Sequence, residues 1–339
     1  MTERSQSATY NAIDLIKFLM ALCVVAIHTS VIKEPAILEY STALDIFTRM
    51  AVPFFFMSSS FFLFRKTKDI PLREKRDRIN RYIRRMIRLY VIWSAIYFPI
   101  AVYRYISDGV PLVAAVGSIL QGFFLYGENH MSWQLWYLLC TIYSMVAINL
   151  LIGWKWKDFH ILALSMLVFC GSVVIRFLTE TVDQYSGIFR YAVILLDLFF
   201  ANGRIFTGML YLTVGMCVAN CPKLRAIPWY LSLAVAASAF LITVCWDNEI
   251  TKQILYISFF LFALSIPLPD KNHYVALRRA STIVYFVHMI FVFILSLIPG
   301  MDTRYALKFV VVAVASLGVS WAVIHLEKLG NKKLICLFE

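Results

Sequence analysis

The chain alternates between long apolar stretches and short polar segments. A helix needs about 20 consecutive apolar residues to cross the ~30 Å hydrocarbon core of a bilayer. By this criterion the sequence predicts ten membrane-spanning helices, at 13–32, 42–64, 84–106, 131–152, 159–178, 205–220, 228–246, 250–267, 280–298 and 305–326. Two further apolar stretches, 110–126 and 188–201, are interpreted as re-entrant or interfacial segments. The predicted fold is an all-α, polytopic membrane helix bundle.

Composition supports a membrane protein. Apolar residues make up 61% of the chain and charged residues only 15%, whereas a soluble domain has about 25% charged residues. The predicted spans use up most of the chain, so we interpret residues 1–339 as a single integral membrane domain. No segment is left that could form a soluble nucleic-acid-binding module.

Lys and Arg are concentrated on one side of the predicted bundle. Segment 65–88 alone contains eleven of them. Loops on the other side are poor in cations and carry acidic residues such as Asp247 and Asp302. Because cytoplasmic loops are enriched in Lys and Arg, this split predicts that both termini are cytoplasmic. Two interpretations of segment 65–88 stay open. Its cations either only set the membrane topology, or they also bind anionic phosphates.

The first two predicted spans contain ionisable residues, which are costly in a bilayer and indicate function. Asp14 and Lys17 lie near the cytoplasmic end of the first span, and His28 lies near its outer end. Arg49 lies about 10 Å below the outer surface in the second span, by helix rise. Asp45 precedes it by one turn and is predicted to pair with it. His28 and Arg49 are therefore expected at similar depth.

Further polar residues are predicted at or below the outer side. Ser281, Tyr285 and His288 recur at i, i+4 and i+7, so they share one face of the ninth span. Arg204 starts the sixth span on the outer side. Any one of these residues could simply join helices by a hydrogen bond. Two histidines and two arginines near the same layer favour a functional site.

Four sequence runs carry a family resemblance. Residues 14–17 read DLIK, with His28 eleven positions after Lys17; 49–57 read RMAVPFFFM, 133–138 WQLWYL and 281–288 STIVYFVH. In this order they resemble the D-x-L-R…H, R-x-x-V-P-x-F-F-M, H-L-W-Y-L and S-x-x-I-Y-x-x-H signatures of the acyltransferase-3 family. The resemblance extends over nearly the whole chain. The family members that the chain resembles are short standalone O-acetyltransferases and the membrane half of vancomycin-resistance serine racemases.

The resemblance implies a membrane O-acyltransferase of the bacterial cytoplasmic membrane. Such an enzyme transfers an acyl group, usually acetyl from acetyl-CoA, to a hydroxyl of an extracytoplasmic glycan or envelope component. A hydroxyl needs a general base at neutral pH, and His28 is the candidate. Arg49 is the candidate for stabilising the oxyanion, with Tyr285 and His288 as further donors.

The resemblance also implies how the substrates bind. The CoA phosphates are expected near Lys17 and the basic segment, and Trp136 and Tyr137 are expected to line a sugar or lipid path. The substrate-binding candidates are Asp14, Lys17, Ser59, Gln134, Trp136, Tyr137 and Arg204. Acetyl-CoA is expected as the acyl donor, without a metal. The expected partners are acyl-CoA, a glycan or lipid-linked acceptor and membrane lipids, with a homodimer as an open alternative.

The sequence departs from the family pattern at three positions. Lys17 replaces an arginine and loses its planar bidentate fork. Gln134 replaces a histidine, and His130, expected one turn earlier on the same helix face, is interpreted as a partial substitute. Ser60 replaces a glycine.

Two other function classes stay open. One is a transporter of a small polar solute such as serine, in line with the similarity to serine racemases. Transporters often contain helices broken by Gly or Pro near the midplane, and Pro53 is such a residue. The other is a structural partner in envelope assembly.

Overall fold

The computed structural model describes residues 10–200, 203–271, 273–330 and 334–338, and every element of regular structure in these ranges is helical. Short 3₁₀ turns connect several of the helices. The α-helices are α1 (Asn11–His28), α2 (Ser41–Arg49), α3 (Ala51–Arg65), α4 (Leu72–Ser107), α5 (Leu112–Gln121), α6 (Trp136–Gly153), α7 (Asp158–Glu180), α8 (Gly187–Phe200), α9 (Arg204–Asn220), α10 (Pro222–Arg225), α11 (Trp229–Cys245), α12 (Glu249–Ser265), α13 (His273–Ser296) and α14 (Tyr305–Lys328).

Each of the ten predicted spans contains an α-helix, which confirms the helical bundle. Among the described residues, seven helical stretches are long and apolar enough to cross a membrane, and α8 and α9 add an eighth if this bent pair is one span. The two remaining predicted spans are α11 and α12, with 17 residues each. This length is the lower limit for crossing a bilayer. The cytoplasmic position of both termini stays a prediction.

The first span is shorter than predicted. α1 ends at His28 rather than at residue 32. The Thr29 hydroxyl donates to the Val25 carbonyl at 2.9 Å, and Ser30 takes a left-handed backbone with φ of +56°. Since a left-handed residue interrupts the helix, the chain turns away directly after His28.

The second span is divided in two. α2 ends at Arg49 and α3 begins at Ala51, so the helix predicted over 42–64 is interrupted at Met50. The stretch Pro35–Arg65 still counts as one candidate membrane span. Pro53 explains the break, because proline has no N–H and its ring clashes with the carbonyl four residues earlier, which belongs to Arg49. Arg49 is therefore the last residue of a short helix.

The basic segment is mostly helical, and not a loop as predicted. α4 begins at Leu72, after Pro71, and runs for 36 residues, which is about 54 Å of helix. The apolar core of a membrane is only ~30 Å thick. The first turns of α4, which carry most of the cations of 65–88, therefore extend beyond the hydrocarbon.

The chain forms two compact units. Unit one comprises the described residues within 1–54, 222–285 and 303–331, and unit two those within 55–221, 286–302 and 332–339. In unit one, α1 packs against α2, α12 and α14, and α11 pairs with α12. In unit two, α6 packs against α4 and α9, and α7 pairs with α9. The basic residues Lys332 and Lys333 lie outside the described residues.

The two apolar stretches outside the predicted spans form helices in unit two. α5 continues as a π-helical turn, Gly122–Tyr126, and the Tyr90 hydroxyl of α4 donates to the Phe123 carbonyl at 2.6 Å. Because Tyr90 lies 17 residues before the end of α4, this segment returns about 25 Å along that helix. The stretch at 188–201 corresponds to α8, with its last residue outside the described residues.

Membrane orientation is open to a direct test. In a chain whose seven native cysteines are replaced, a cysteine at Asp247 or Asp302 should react with a membrane-impermeant maleimide in intact cells. A cysteine at the exposed Arg73 should react only after the cells are opened. Labelling of the Arg73→Cys variant in intact cells would reverse the predicted orientation.

Candidate functional site

One end of unit one contains His28 and Arg49. His28 is half-buried at the end of α1. Arg49 ends α2, and its Nε donates to Asp45 Oδ2 at 2.6 Å, which confirms the predicted pair. The Arg49 side chain is 62% exposed, so the guanidinium can also reach a further anionic or carbonyl group.

The sequence interpretation missed the polar groups that α12 adds at this end. Lys252 Nζ lies 2.6 Å from Asp247 Oδ1 and 3.4 Å from Glu249 Oε1. Tyr256 is buried one turn after Lys252 and interacts electrostatically with Arg49. The sequence did contain a signal for these groups: Lys252 and Tyr256 are at i and i+4 in an apolar helix, so they share one helix face.

The other end of unit one contains Asp14 and Lys17. Asp14 is buried, and its Oδ2 lies 3.4 Å from Arg278 Nη1 on α13. Lys17 is half-buried, and its charge also acts on Asp14. The carboxylate is therefore shared between two cations. Arg278 lies before the predicted ninth span, 280–298, but α13 already begins at His273.

A second set of contacts closes this end. The Asn11 amide donates to the Pro269 carbonyl at 2.9 Å, and Arg279 Nη1 donates to Glu327 Oε2 at 2.5 Å. These contacts join α1, α13 and α14, so Lys17 lies on a fixed framework.

Unit two brings together two of the predicted substrate-binding residues. The Ser59 hydroxyl and the Tyr137 hydroxyl are 3.2 Å apart, within hydrogen-bond distance. The neighbouring Ser60 is fully buried and donates its hydroxyl to the Leu212 carbonyl. Serine in place of the family's glycine is thus accommodated by a hydrogen bond between α3 and α9.

Gln134 occupies a 3₁₀ turn just before α6 and is buried. It interacts electrostatically with the Tyr97 hydroxyl, which donates to the Phe286 carbonyl at 2.6 Å. His130 does not share a helix with Gln134, because it lies in a turn and its ring contacts Tyr105, with 4.6 Å between centroids. The expectation of a shared helix face is wrong, since the helical structure starts only at Trp133.

Trp136 and Arg204 are neighbours in unit two. The Arg204 guanidinium carbon lies 5.8 Å from the centroid of the Trp136 ring, which makes a cation–π contact. The same guanidinium forms an ion pair with the Glu128 carboxylate. Before it, Gly203 has φ of +81°, and a Cβ there would lie 2.6 Å from the Ser172 carbonyl. Ser172 is eight residues from the end of α7, which is about 12 Å. Arg204 therefore follows a residue that is recessed by about 12 Å from the end of α7.

The last motif lies on α13 as predicted. Ser281, Tyr285 and His288 are all buried. Ser281 donates its hydroxyl to the Arg278 carbonyl at 2.7 Å. Buried polar groups in a membrane helix are expected to have functional or structural partners.

Comparison with known proteins identifies the family. A family model described as an acyltransferase domain, acyltransferase-3, matches residues 10–325. The chain belongs to the acyltransferase-3 family. The match begins just before α1 and ends within α14, so it includes all four motif regions and most of each compact unit.

The chain is also similar to several racemases. A serine/alanine racemase from Enterococcus gallinarum is 28% identical over 270 residues, which cover 77% of this chain and 34% of the racemase. Two amino-acid racemases from Enterococcus faecalis are 35% and 30% identical over 30% and 43% of this chain, covering 13% and 20% of their lengths. The chain thus spans about a third or less of the length of these relatives. No solved structure matches the chain.

Proposed function

We propose that this protein is a multi-pass O-acyltransferase of the bacterial cytoplasmic membrane. It transfers an acyl group, in the first instance acetyl from acetyl-CoA, to a hydroxyl of an extracytoplasmic glycan or envelope component. The observation that carries the proposal is the acyltransferase-3 match over residues 10–325. The position of His28 at a helix end of unit one, the same unit that holds Arg49 and Tyr285, supports it.

The proposed reaction assigns one step to each group. The His28 imidazole accepts the proton of the acceptor hydroxyl, whose oxygen attacks the thioester carbonyl carbon. The resulting oxyanion is stabilised by Arg49 and Tyr285. The carbon–sulfur bond then breaks, and the CoA thiolate takes the proton back from His28. The products are the acyl ester and free CoA.

The donor is proposed to bind at the other end of unit one. CoA carries several phosphate charges, and Lys17 and Arg278 both lie close to Asp14 at this end. Lys and Arg side chains are suited to binding phosphate, so these two residues are the proposed contacts of the CoA phosphates.

Lys17 is predicted to contribute to CoA binding. The Lys17→Ala variant should bind acetyl-CoA about ten- to a hundredfold more weakly, because a hydrogen bond to a charged group contributes ~1.5–3 kcal/mol. Lys17→Arg should bind as well as the native protein or better. Arg278 remains beside Asp14 in both variants, so folding should be preserved. The measurement is isothermal titration of acetyl-CoA into detergent-solubilised protein.

A matched control separates this role from a structural ion pair. Lys271 is exposed before α13, and Lys271→Ala should leave the affinity unchanged. If Lys17 only forms a structural ion pair with Asp14, then Asp14→Asn should disturb the fold as much as Lys17→Ala. In that case neither Lys17 variant should alter the affinity for acetyl-CoA appreciably.

Acyl transfer itself can be tested with isolated components. Purified protein in liposomes is given acetyl-CoA labelled in the acetyl group and an envelope extract from cells that lack the protein. Label should move into the glycan or glycolipid fraction only when the protein is present. Folded protein that neither binds nor consumes acetyl-CoA would contradict the proposal.

A second candidate is a transporter of a small polar solute such as serine. Two observations favour it: the similarity to racemases of amino acids and the bent pair α8 and α9, a geometry that transporters use at their binding sites. Liposomes containing the protein would then take up labelled serine, whether or not acetyl-CoA is supplied.

A further inference from the structure

Unit two contains a cavity of about 280 Å³ between α4, α5 and the segment that joins α5 to α6. One wall is the part of α4 from Tyr90 to Ala101, and the opposite wall includes Ile119, Leu120 and Phe123. Ligand pockets in proteins usually measure about 300–1,000 Å³. The cavity is therefore large enough for a chain segment, but not for a whole lipid.

The rim of this cavity is apolar and exposed. Val91, Phe98 and Leu120 line the cavity and are 47%, 50% and 53% exposed. Val91 and Phe98 belong to the apolar half of α4, a candidate membrane span. Exposed apolar side chains on a membrane-spanning helix face lipid chains, so the cavity opens towards the hydrocarbon of the bilayer.

The segment that joins α5 to α6 adds a polar, ordered wall. Glu128, Asn129 and Ser132 line the cavity. The Ser132 hydroxyl accepts a hydrogen bond from the backbone N–H of Asn129 at 2.8 Å and donates one to the backbone carbonyl of Asn129 at 3.1 Å. Glu128 is held by Arg204, and Gly127, with φ of +72°, packs its Cα against the start of α6.

Polar and apolar groups line different walls of the cavity. Near Tyr90, whose ring lies 5.2 Å from that of Phe123, the walls from α4 and α5 are apolar. The polar segment lies against Gly122, where a Cβ would be 2.7 Å from Asn129 Oδ1, and the Glu128 N–H donates to the Gly122 carbonyl at 3.1 Å. The cavity therefore has an apolar interior with one polar wall.

We propose that this cavity binds the hydrocarbon chain of a hydroxyl-bearing amphiphile, with the polar wall of Glu128, Asn129 and Ser132 holding its head group. Carboxylate and amide oxygens accept hydrogen bonds from hydroxyls. A phosphate head is disfavoured, because the Glu128 carboxylate repels it and Arg204 is already paired with that carboxylate. The amphiphile is the acceptor class of the proposed acyl transfer, and in this respect the inference rests on the proposed function.

Photolabelling tests the occupant. The protein in nanodiscs is irradiated with an alkyl glucoside that carries a diazirine in its chain, and labelled peptides are mapped by mass spectrometry. Label should concentrate at 90–101 and 119–123. Ala95 is exposed and lines the cavity, and Ala95→Trp should reduce this label at least about tenfold, the factor that 1.4 kcal/mol gives. Ala163→Trp, at an exposed position of α7, should not.

The outcomes discriminate between occupants without requiring turnover. Label spread evenly over the lipid-facing helices, or unaffected by Ala95→Trp in folded protein, would overturn the inference. Preferential labelling of the cavity by a diazirine acyl-CoA or by a diazirine phosphatidylglycerol would also overturn it, in favour of the donor chain or of an ordinary lipid. If the alkyl glucoside labels the cavity as expected but the protein transfers no acyl group, the proposed function would be overturned and the binding site would still be supported.

Discussion

Replacing His28 with alanine is expected to lower the rate of acyl transfer by ~10²–10⁴, the usual contribution of a general base. The side chain is half-buried at the end of α1. The Thr29 hydroxyl and the backbone turn at Ser30 fix this helix end without the imidazole. The fold should therefore survive the substitution. The measurements are turnover of acetyl-CoA by purified protein and its thermal unfolding.

His160 provides a matched control. It lies exposed near the start of α7, so His160→Ala should retain native turnover and stability. Native turnover in the His28→Ala variant would remove His28 from the mechanism. Loss of folding in that variant alone would instead show that the side chain serves packing.

Arg49→Ala is expected to lower kcat by ~10²–10³, as the loss of one oxyanion donor does. KM for acetyl-CoA should change little, because the interaction with the oxyanion forms only in the transition state. Arg49→Lys should recover part of the rate, since it keeps the charge and loses the fork. Stability should hardly change, because the Arg49–Asp45 pair is largely exposed and such pairs contribute about 0–1 kcal/mol.

Asp45→Asn tests the alternative that Arg49 only supports α2. This variant removes the charge partner and leaves the guanidinium in place. We expect kcat within about threefold of native, in keeping with the small energy of exposed pairs. If Asp45→Asn lowered kcat as much as Arg49→Ala, the pair itself and not the free guanidinium would be what the site requires.

The helices of this protein were predictable because an apolar stretch of bilayer length has few alternatives to a helix. The positions at which the helices are interrupted were harder to predict. Hydropathy is continuous across Arg49, and only the steric effect of Pro53 marks the break between α2 and α3. Hydropathy also misplaced the start of α4, since the basic residues after Leu72 lower it without preventing a helix.

The candidate site was predictable where a motif or a single helix defines it. The Arg49–Asp45 pair follows from i, i+4 spacing, and the proximity of Ser59 and Tyr137 agrees with their place in two family motifs. The Asp14–Arg278 contact joins residues 264 positions apart, and no local pattern encodes it. The recessed position of Gly203, next to Arg204, likewise depends on the approach of this glycine to α7.

Mass spectrometry of envelope glycans tests the central claim most directly. Glycans are compared between cells that lack the protein, cells that make it, and cells that make the His28→Ala variant at the same level. The account predicts an acyl ester on a glycan hydroxyl only with the native protein. Identical acylation in all three strains, or acylation that the His28→Ala variant restores in full, would contradict it.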